Sequence, residues 1–124
     1  MCGDWIEIRH WYLILEVHVT RPLKDGETVR VGDVDVRVFA LPGHTGGSAA
    51  YLARGLLFLG DSADANKNGE LVPARWIFSD DLEQNRASLK ALAAKLEPGQ
   101  VKYLVFAHSG VLDTDAALRA FAAK

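Results

Sequence analysis

Two hairpin patterns between residues 27 and 60 constrain the fold of this chain most. The first is formed by TVRV and VDVRVF around Gly32-Asp33, and the second by AAYLA and LLFLG around Arg54-Gly55. Short runs of β-forming residues joined by a two-residue turn are typical of antiparallel hairpins. LLFLG is apolar on both of its faces, so we expect it to be an interior strand.

The rest of the chain adds helical patterns to these strands. Leu and Ala recur at helical spacing over residues 82–96, and Asp80 with Glu83 predicts a capping box at the start of this helix. VKYLVF predicts a short buried strand, and DTDAALRAFAAK predicts a closing helix capped by Asp113. With a further strand predicted over residues 11–19, the order β-β-β-β-β-α-β-α indicates an α/β (α+β) fold, a mixed β-sheet with two helices.

Composition restricts the class of protein. The chain has 124 residues, 49% apolar and 24% charged, which is typical of a single globular domain over residues 1–124. The net charge of -2 argues against a nucleic-acid partner, which would favour a basic excess. Cys2 is the only cysteine, so no intrachain disulfide forms and we expect a cytoplasmic protein. WYLILEVHV is too short to span a bilayer, so no membrane association is expected.

Three potential metal ligands follow the ends of three predicted strands. His44 follows VDVRVF in a glycine-rich loop, Asp61 follows LLFLG, and His108 follows VKYLVF. Ligands collect at this edge of open sheets that carry helices, and two imidazoles with a carboxylate suit Zn²⁺, Mn²⁺ or Fe²⁺. Each residue alone could instead be a surface or turn residue. His10 and His18 are interpreted as structural or surface residues.

The residues next to these candidates are interpreted in two ways. The loop SADANKNGELVPARW is expected to border the site, because long loops in compact domains are often functional. Thr45, Ser48, Ser62 and Ser109 could orient the histidines through hydrogen bonds, or could form turns.

From about Asp25 to the C-terminus, the sequence resembles the metallo-β-lactamase superfamily. VRVFALPGHTGGSAAYL is similar to the family's strand and PGHTxGS loop, LLFLGDS to its strand ending in a metal-bridging aspartate, and YLVFAHSG to its final strand and histidine. The resemblance implies that His44 ligates one metal, His108 ligates a second, and Asp61 bridges the two. It also implies that a hydroxide held between two divalent ions attacks an ester, thioester, amide or phosphoester.

The family's leading signature, HxHxDH, has no counterpart in this sequence. In the family, that signature supplies most of the metal ligands and belongs to the first half of an αββα sandwich. We therefore interpret residues 25–124 as the C-terminal half of such a sandwich and residues 1–24 as an N-terminal strand or lead-in. One zinc ion is expected rather than two, with no metal as the alternative, and no catalytic residue is assigned beyond the candidate ligands.

A half sandwich would leave one apolar face of its sheet to be covered. Both helices are expected on one face, while Val34, Val36, Val38 and LLFLG imply more apolar surface than two helices bury. We therefore expect a homodimer joined sheet to sheet. Three functions stay open: a metal-dependent hydrolase remnant, a non-catalytic dimeric binding or scaffold module, and a subunit whose partner chain supplies the missing metal ligands. The substrate is not predicted.

Overall fold

The computed structural model describes residues 18–124, so most of the strand predicted over residues 11–19, together with Cys2 and His10, lies outside the described residues. The six strands of the main sheet are β1 (Thr28–Val31), β2 (Val34–Ala40), β3 (Ala49–Ala53), β4 (Leu56–Gly60), β7 (Tyr103–Phe106) and β8 (Val111–Leu112). The other elements are β5 (Ala63–Ala65) and β6 (Leu71–Pro73), which form a two-stranded sheet, a 3₁₀ turn (Trp76–Phe78), and the helices α1 (Leu82–Lys95) and α2 (Ala116–Ala123).

Both predicted hairpins form, and each turn contains a glycine at positive φ. β1 and β2 pair around Gly32, whose φ is 61°, and β3 and β4 pair around Arg54 and Gly55, with φ of 49° and 81°. Positive φ at both central residues, as in Arg54-Gly55, is the type I′ pattern, and positive φ at the first central residue alone, as in Gly32-Asp33, is the type II′ pattern. Both match the twist of the flanking strands. The sheet order β1-β2-β3-β4-β7-β8 makes β4 an interior strand, as LLFLG predicted.

The main sheet is mixed because one of its pairs is parallel. β4 and β7 run parallel, and the chain between them contains β5, β6 and α1. The other neighbouring strands are antiparallel. β2 and β4 are both antiparallel to β3, so β2, β4 and β7 point in the same direction and their C-terminal ends lie at one edge of the sheet.

Both helices pack on one face of the sheet, as predicted. The core combines sheet residues with helix residues: Phe39, Ala50, Leu52, Leu57, Leu59, Leu104 and Phe106 with Leu89, Leu92, Leu118 and Phe121. Alternate residues of a strand point to opposite faces. Tyr51, Phe58 and Tyr103 lie on the face away from the helices and are 39%, 40% and 43% exposed. We call this surface the aromatic face.

The helix α1 begins one residue later than its capping pattern predicted. Asp81, not Asp80, is the N-cap, and its carboxylate accepts a hydrogen bond of 2.9 Å from the N–H of Gln84. Asp80 instead donates its backbone N–H to the carbonyl of His44 at 3.1 Å. Each of the two adjacent aspartates has a capping-box partner three residues later, so the pattern alone does not separate them.

Two other predictions about local structure need correction. Asp115 rather than Asp113 precedes α2, and its carboxylate bonds Arg119 at 2.6 Å, while the hydroxyl of Thr114 accepts from the first N–H of the helix. The segment over residues 61–79, which includes the predicted loop SADANKNGELVPARW, contains β5, β6 and the 3₁₀ turn. These elements have three residues each, which is too short for periodicity to indicate them.

The helices in the described part of the chain have 14 and 8 residues. Neither is long and apolar enough to cross a membrane.

Candidate functional site

A cleft at the C-terminal ends of β2, β4 and β7 contains all three of the predicted ligand residues. Its volume is about 600 Å³, and it is lined by His44, Asp61, Asp64, Arg75, Phe78 and His108. The loop that was expected to border the site supplies Asp64 and Arg75. Sequence analysis did not single out either residue, or Phe78.

Asp61 and His108 are in direct contact. The Oδ1 atom of Asp61 lies 2.7 Å from Nε2 of His108, and the two side chains are 49% and 74% exposed. An ionised carboxylate only accepts hydrogen bonds, so Nε2 of His108 carries a proton in this contact. Even a fully charged pair this exposed contributes at most about 1 kcal/mol, so little free energy opposes replacement of the contact by a ligand.

A tight loop between β7 and β8 presents His108. The N–H of Phe106 donates to the carbonyl of Gly110 at 2.9 Å and closes the loop, and Gly110 has a φ of 83° that favours glycine. The hydroxyl of Ser109 donates to Oδ1 of Asp64 at 2.9 Å and accepts from the N–H of Ala65 at 2.8 Å. Ser109 therefore ties this loop to β5.

The loop that carries His44 is fixed to the start of α1. The carbonyls of Gly43 and His44 accept hydrogen bonds of 2.8 and 3.1 Å from the N–H groups of Asp81 and Asp80. Gly43 lies so close to the helix that a Cβ added there would be 2.2 Å from the backbone nitrogen of Asn85. Only glycine fits at this position.

Among residues 18–124, the His44 imidazole contacts one hydrogen-bonding partner. Its Nδ1 atom lies 3.2 Å from the hydroxyl oxygen of Ser79, which in turn lies 2.7 Å from the carbonyl oxygen of Arg75. Ser79 is 35 positions away along the chain and had no signal in the sequence. Of the residues predicted as orienting or turn residues, Thr45 and Ser48 bond each other at 2.8 Å, which is a turn contact.

Asn85 anchors the segments on either side of the cleft. This side chain is fully buried, donates to the carbonyl of Ser62 at 2.9 Å and accepts from the N–H of Ala74 at 3.1 Å. Burial of an amide costs free energy unless its polar atoms are bonded, and both are bonded here. The contacts connect α1 to the chain just after Asp61 and to the end of β6.

The cleft contains side chains of the types that bind divalent metals, but they are not gathered into one ligand cluster. Imidazole and carboxylate are ligands of zinc, and two of each line the cleft. In residues 18–124, however, no three His, Cys, Asp or Glu side chains form a cluster that could hold one ion. The described residues would therefore supply some of the ligands of a metal site. The Asp61–His108 contact would have to open for both residues to ligate.

Comparison with known proteins gives partial matches to one kind of hydrolase, and no family model matches the chain. The chain is 34% identical over 83 residues to hydroxyacylglutathione hydrolase from Vibrio cholerae, covering 67% of this chain and 31% of the relative. It is 36% identical over 76 residues to hydroxyacylglutathione hydrolase from Aliivibrio fischeri, covering 61% and 28%. The chain thus spans less than a third of the length of these curated relatives.

Solved structures of metallo-β-lactamase superfamily proteins share the fold. An archaeal member from Sulfolobus tokodaii matches with a TM-score of 0.63 and 24% identity, covering 94% of this chain and 45% of that chain. ETHE1 from Myxococcus xanthus matches with a TM-score of 0.60 and 26% identity, covering 82% and 46%. The resemblance predicted from the three motifs is confirmed, and it extends over part of each relative.

Proposed function

Because this chain shares sequence and fold with part of the metallo-β-lactamase superfamily, we propose that it contributes His44, Asp61 and His108 to the metal site of a hydrolase. The observation that supports this most is the position of all three side chains in one cleft, at the C-terminal ends of three co-directional strands. Two imidazoles and a carboxylate are ligands of the kind that catalytic zinc sites combine with a water molecule. The three side chains would have to converge on one ion, with the Asp61–His108 contact opened. One ion is therefore proposed rather than two.

A zinc ion bound there would supply a Lewis acid and lower the pKa of water. His44 and His108 would offer ring nitrogens and Asp61 a carboxylate oxygen. Nε2 of His108 would have to release its proton if it ligates, because metal ligands are deprotonated. Arg75 and Phe78 give the cleft a cation and an aromatic surface, and within the described residues Arg75 forms no ion pair, so it is available to an anionic substrate.

The substrate proposed for testing is a glutathione thioester, because the curated relatives are named hydroxyacylglutathione hydrolases. The chain corresponds to less than a third of those relatives, and HxHxDH does not occur in it. Full activity would then need further ligands from another segment or from a partner chain. Thioester hydrolysis that appears only when such a chain is added would support the partner-chain alternative.

Zinc binding is the direct test. We expect native mass spectrometry, after dialysis against zinc, to find one ion per chain, and we expect His44→Ala, Asp61→Ala and His108→Ala each to reduce zinc occupancy at least tenfold. His18→Ala is the matched control, since His18 is exposed and outside the cleft. A folded wild-type chain that binds no zinc would contradict the proposal.

A non-catalytic dimeric module is the second candidate, and the aromatic face favours it. Tyr51, Phe58 and Tyr103 lie together on the sheet face away from both helices and are each about two-fifths exposed. Aromatic side chains gathered on an exposed surface are typical of association sites. We propose that a second copy of the chain covers this face, in which case the cleft could be empty while the dimer is intact.

A further inference from the structure

Ser79 lies between the carbonyl of Arg75 and the imidazole of His44, with a single proton to donate. Its hydroxyl oxygen is 2.7 Å from the carbonyl oxygen of Arg75 and 3.2 Å from Nδ1 of His44. A carbonyl oxygen only accepts hydrogen bonds, and a serine hydroxyl has one hydrogen to donate. The hydrogen of Ser79 is directed along the shorter contact, to the carbonyl of Arg75, and its oxygen then presents a lone pair to Nδ1 of His44.

We propose that Ser79 is a positioning residue that fixes neutral His44 in the tautomer with its proton on Nδ1. Nδ1 can bond a lone pair only as an N–H donor, and a neutral imidazole has one N–H. Nε2 then has no hydrogen and presents its own lone pair. Within the described residues no hydrogen bond to Nε2 is formed, and the ring lines the cleft. Nε2 is thus the nitrogen that is free to bind a ligand.

Backbone hydrogen bonds hold the two side chains at this distance. The N–H of Ser79 donates to the carbonyl of Trp76 at 3.3 Å, and the N–H of Asp80 donates to the carbonyl of His44 at 3.1 Å. The first bond fixes Ser79 to the 3₁₀ turn, and the second attaches the next residue, Asp80, to the histidine loop. Serine has a short side chain with few rotamers, so little conformational entropy opposes the contact.

His108 has the opposite arrangement. Its Nε2 atom donates to the carboxylate of Asp61 at 2.7 Å, so neutral His108 carries its proton on Nε2. The two imidazoles of the cleft are thus expected in different tautomers. His108 provides an internal reference for a measurement on His44.

The consequence for metal binding rests on the proposed function. A histidine ligates through a ring nitrogen that has no proton, and the hydrogen bond made by the other nitrogen decides which one that is. Loss of such a partner typically lowers metal affinity by about 10- to 100-fold. We therefore expect removal of the Ser79 hydroxyl to weaken zinc binding about tenfold.

The test is the imidazole ¹⁵N NMR spectrum of the metal-free protein at alkaline pH, where imidazoles are neutral. We expect His44, assigned by the loss of its signals in His44→Gln, to be protonated at Nδ1 in the wild type and in Ser79→Thr. In Ser79→Val, which has the shape of threonine without the hydroxyl, we expect a mixture of tautomers. Ser88→Ala is the matched control, because the Ser88 hydroxyl bonds the carbonyl of Pro42 at 2.8 Å in the same loop.

The outcomes separate this inference from the proposed function. The same His44 tautomer in Ser79→Val as in Ser79→Thr would overturn the inference, whatever the chain does with zinc. If the tautomer changes but the wild type binds no zinc, the proposed function fails and the tautomer assignment stands. Zinc titrations of the Thr and Val variants complete the test, with about a tenfold difference in affinity expected between them. Equal affinities would contradict the effect on metal binding.

Discussion

Gly43 is the residue on which the geometry of the His44 loop most depends. Its φ of 136° favours glycine, and the backbone of Asn85 occupies the space where a side chain would begin. The neighbouring loop residue Gly46 has open space around it. Glycines in one short loop therefore have different roles, and only one of them allows the loop to approach α1.

Gly43→Ala should lower the free energy of unfolding by about 2 kcal/mol, because a Cβ would clash with backbone that cannot move aside cheaply. Urea denaturation measures this loss. Gly46→Ala in the same loop is the control and should change the free energy by less than about 0.5 kcal/mol. Equal stability of Gly43→Ala and the wild type would show that the loop does not lie against α1 as described.

Asp25 connects elements that are distant in sequence. Its carboxylate accepts a hydrogen bond of 2.9 Å from the N–H of Ala40, at the end of β2, and one of 3.0 Å from Nζ of Lys95, in the last turn of α1. Both bonds lower the pKa of Asp25 below its usual value, and the bond from Ala40 has the larger effect. The carboxylate therefore stabilises the contact between sheet and helix when it is ionised.

Asp25→Asn should remove this contribution in a pH-dependent way. The pKa is lower in the folded chain, so the stabilisation is present above the unfolded value of about 3.9 and is lost as pH falls through the folded pKa. The side chain is 47% exposed. We therefore expect a loss of less than about 1 kcal/mol at neutral pH and no difference near pH 2.

Urea denaturation at both pH values measures the effect, and Lys95→Gln should reproduce part of the neutral-pH loss. A difference between wild type and Asp25→Asn that is the same at neutral and acidic pH would contradict the assignment of this contact.

At the scale of the whole molecule, the two faces of the sheet differ. One face contributes to the core with both helices, whereas the other presents the aromatic face. If a second copy covers it, the assembly has twice the chain mass of 13.5 kDa. The cleft lies at the strand ends rather than on this face, so association and ligand binding can be tested independently.

Phe58→Lys should convert a dimer to a monomer, because a charge would be buried at the centre of the aromatic face without a partner. Sedimentation velocity over a micromolar concentration range measures the mass. Ile77→Lys is the control, since Ile77 is 63% exposed but lies in the 3₁₀ turn away from the sheet. A wild-type chain that is monomeric at micromolar concentration would rule out the homodimer.

Sequence alone determined the strands of the two hairpins, the existence of the two helices and the position of three polar residues at strand ends. These features depend on local chemistry: β-forming residues, a turn pair such as Arg54-Gly55, and the period of apolar residues. It did not determine which of two adjacent aspartates caps α1, because both satisfy the same pattern. It also could not indicate β5 and β6, because three residues carry too little periodicity.

Only the tertiary structure decided which side chains contact His44 and the loop that carries His108. Ser79 reaches His44 across 35 positions of sequence, and Ser109 reaches Asp64 across 45. Such pairs form when β-strand pairing and the packing of α1 bring remote loops to one edge of the sheet. A hydroxyl has no propensity that identifies its distant partner. The candidate ligands could therefore be predicted from strand ends, whereas the tautomer proposed for His44 depends on contacts that exist only after folding.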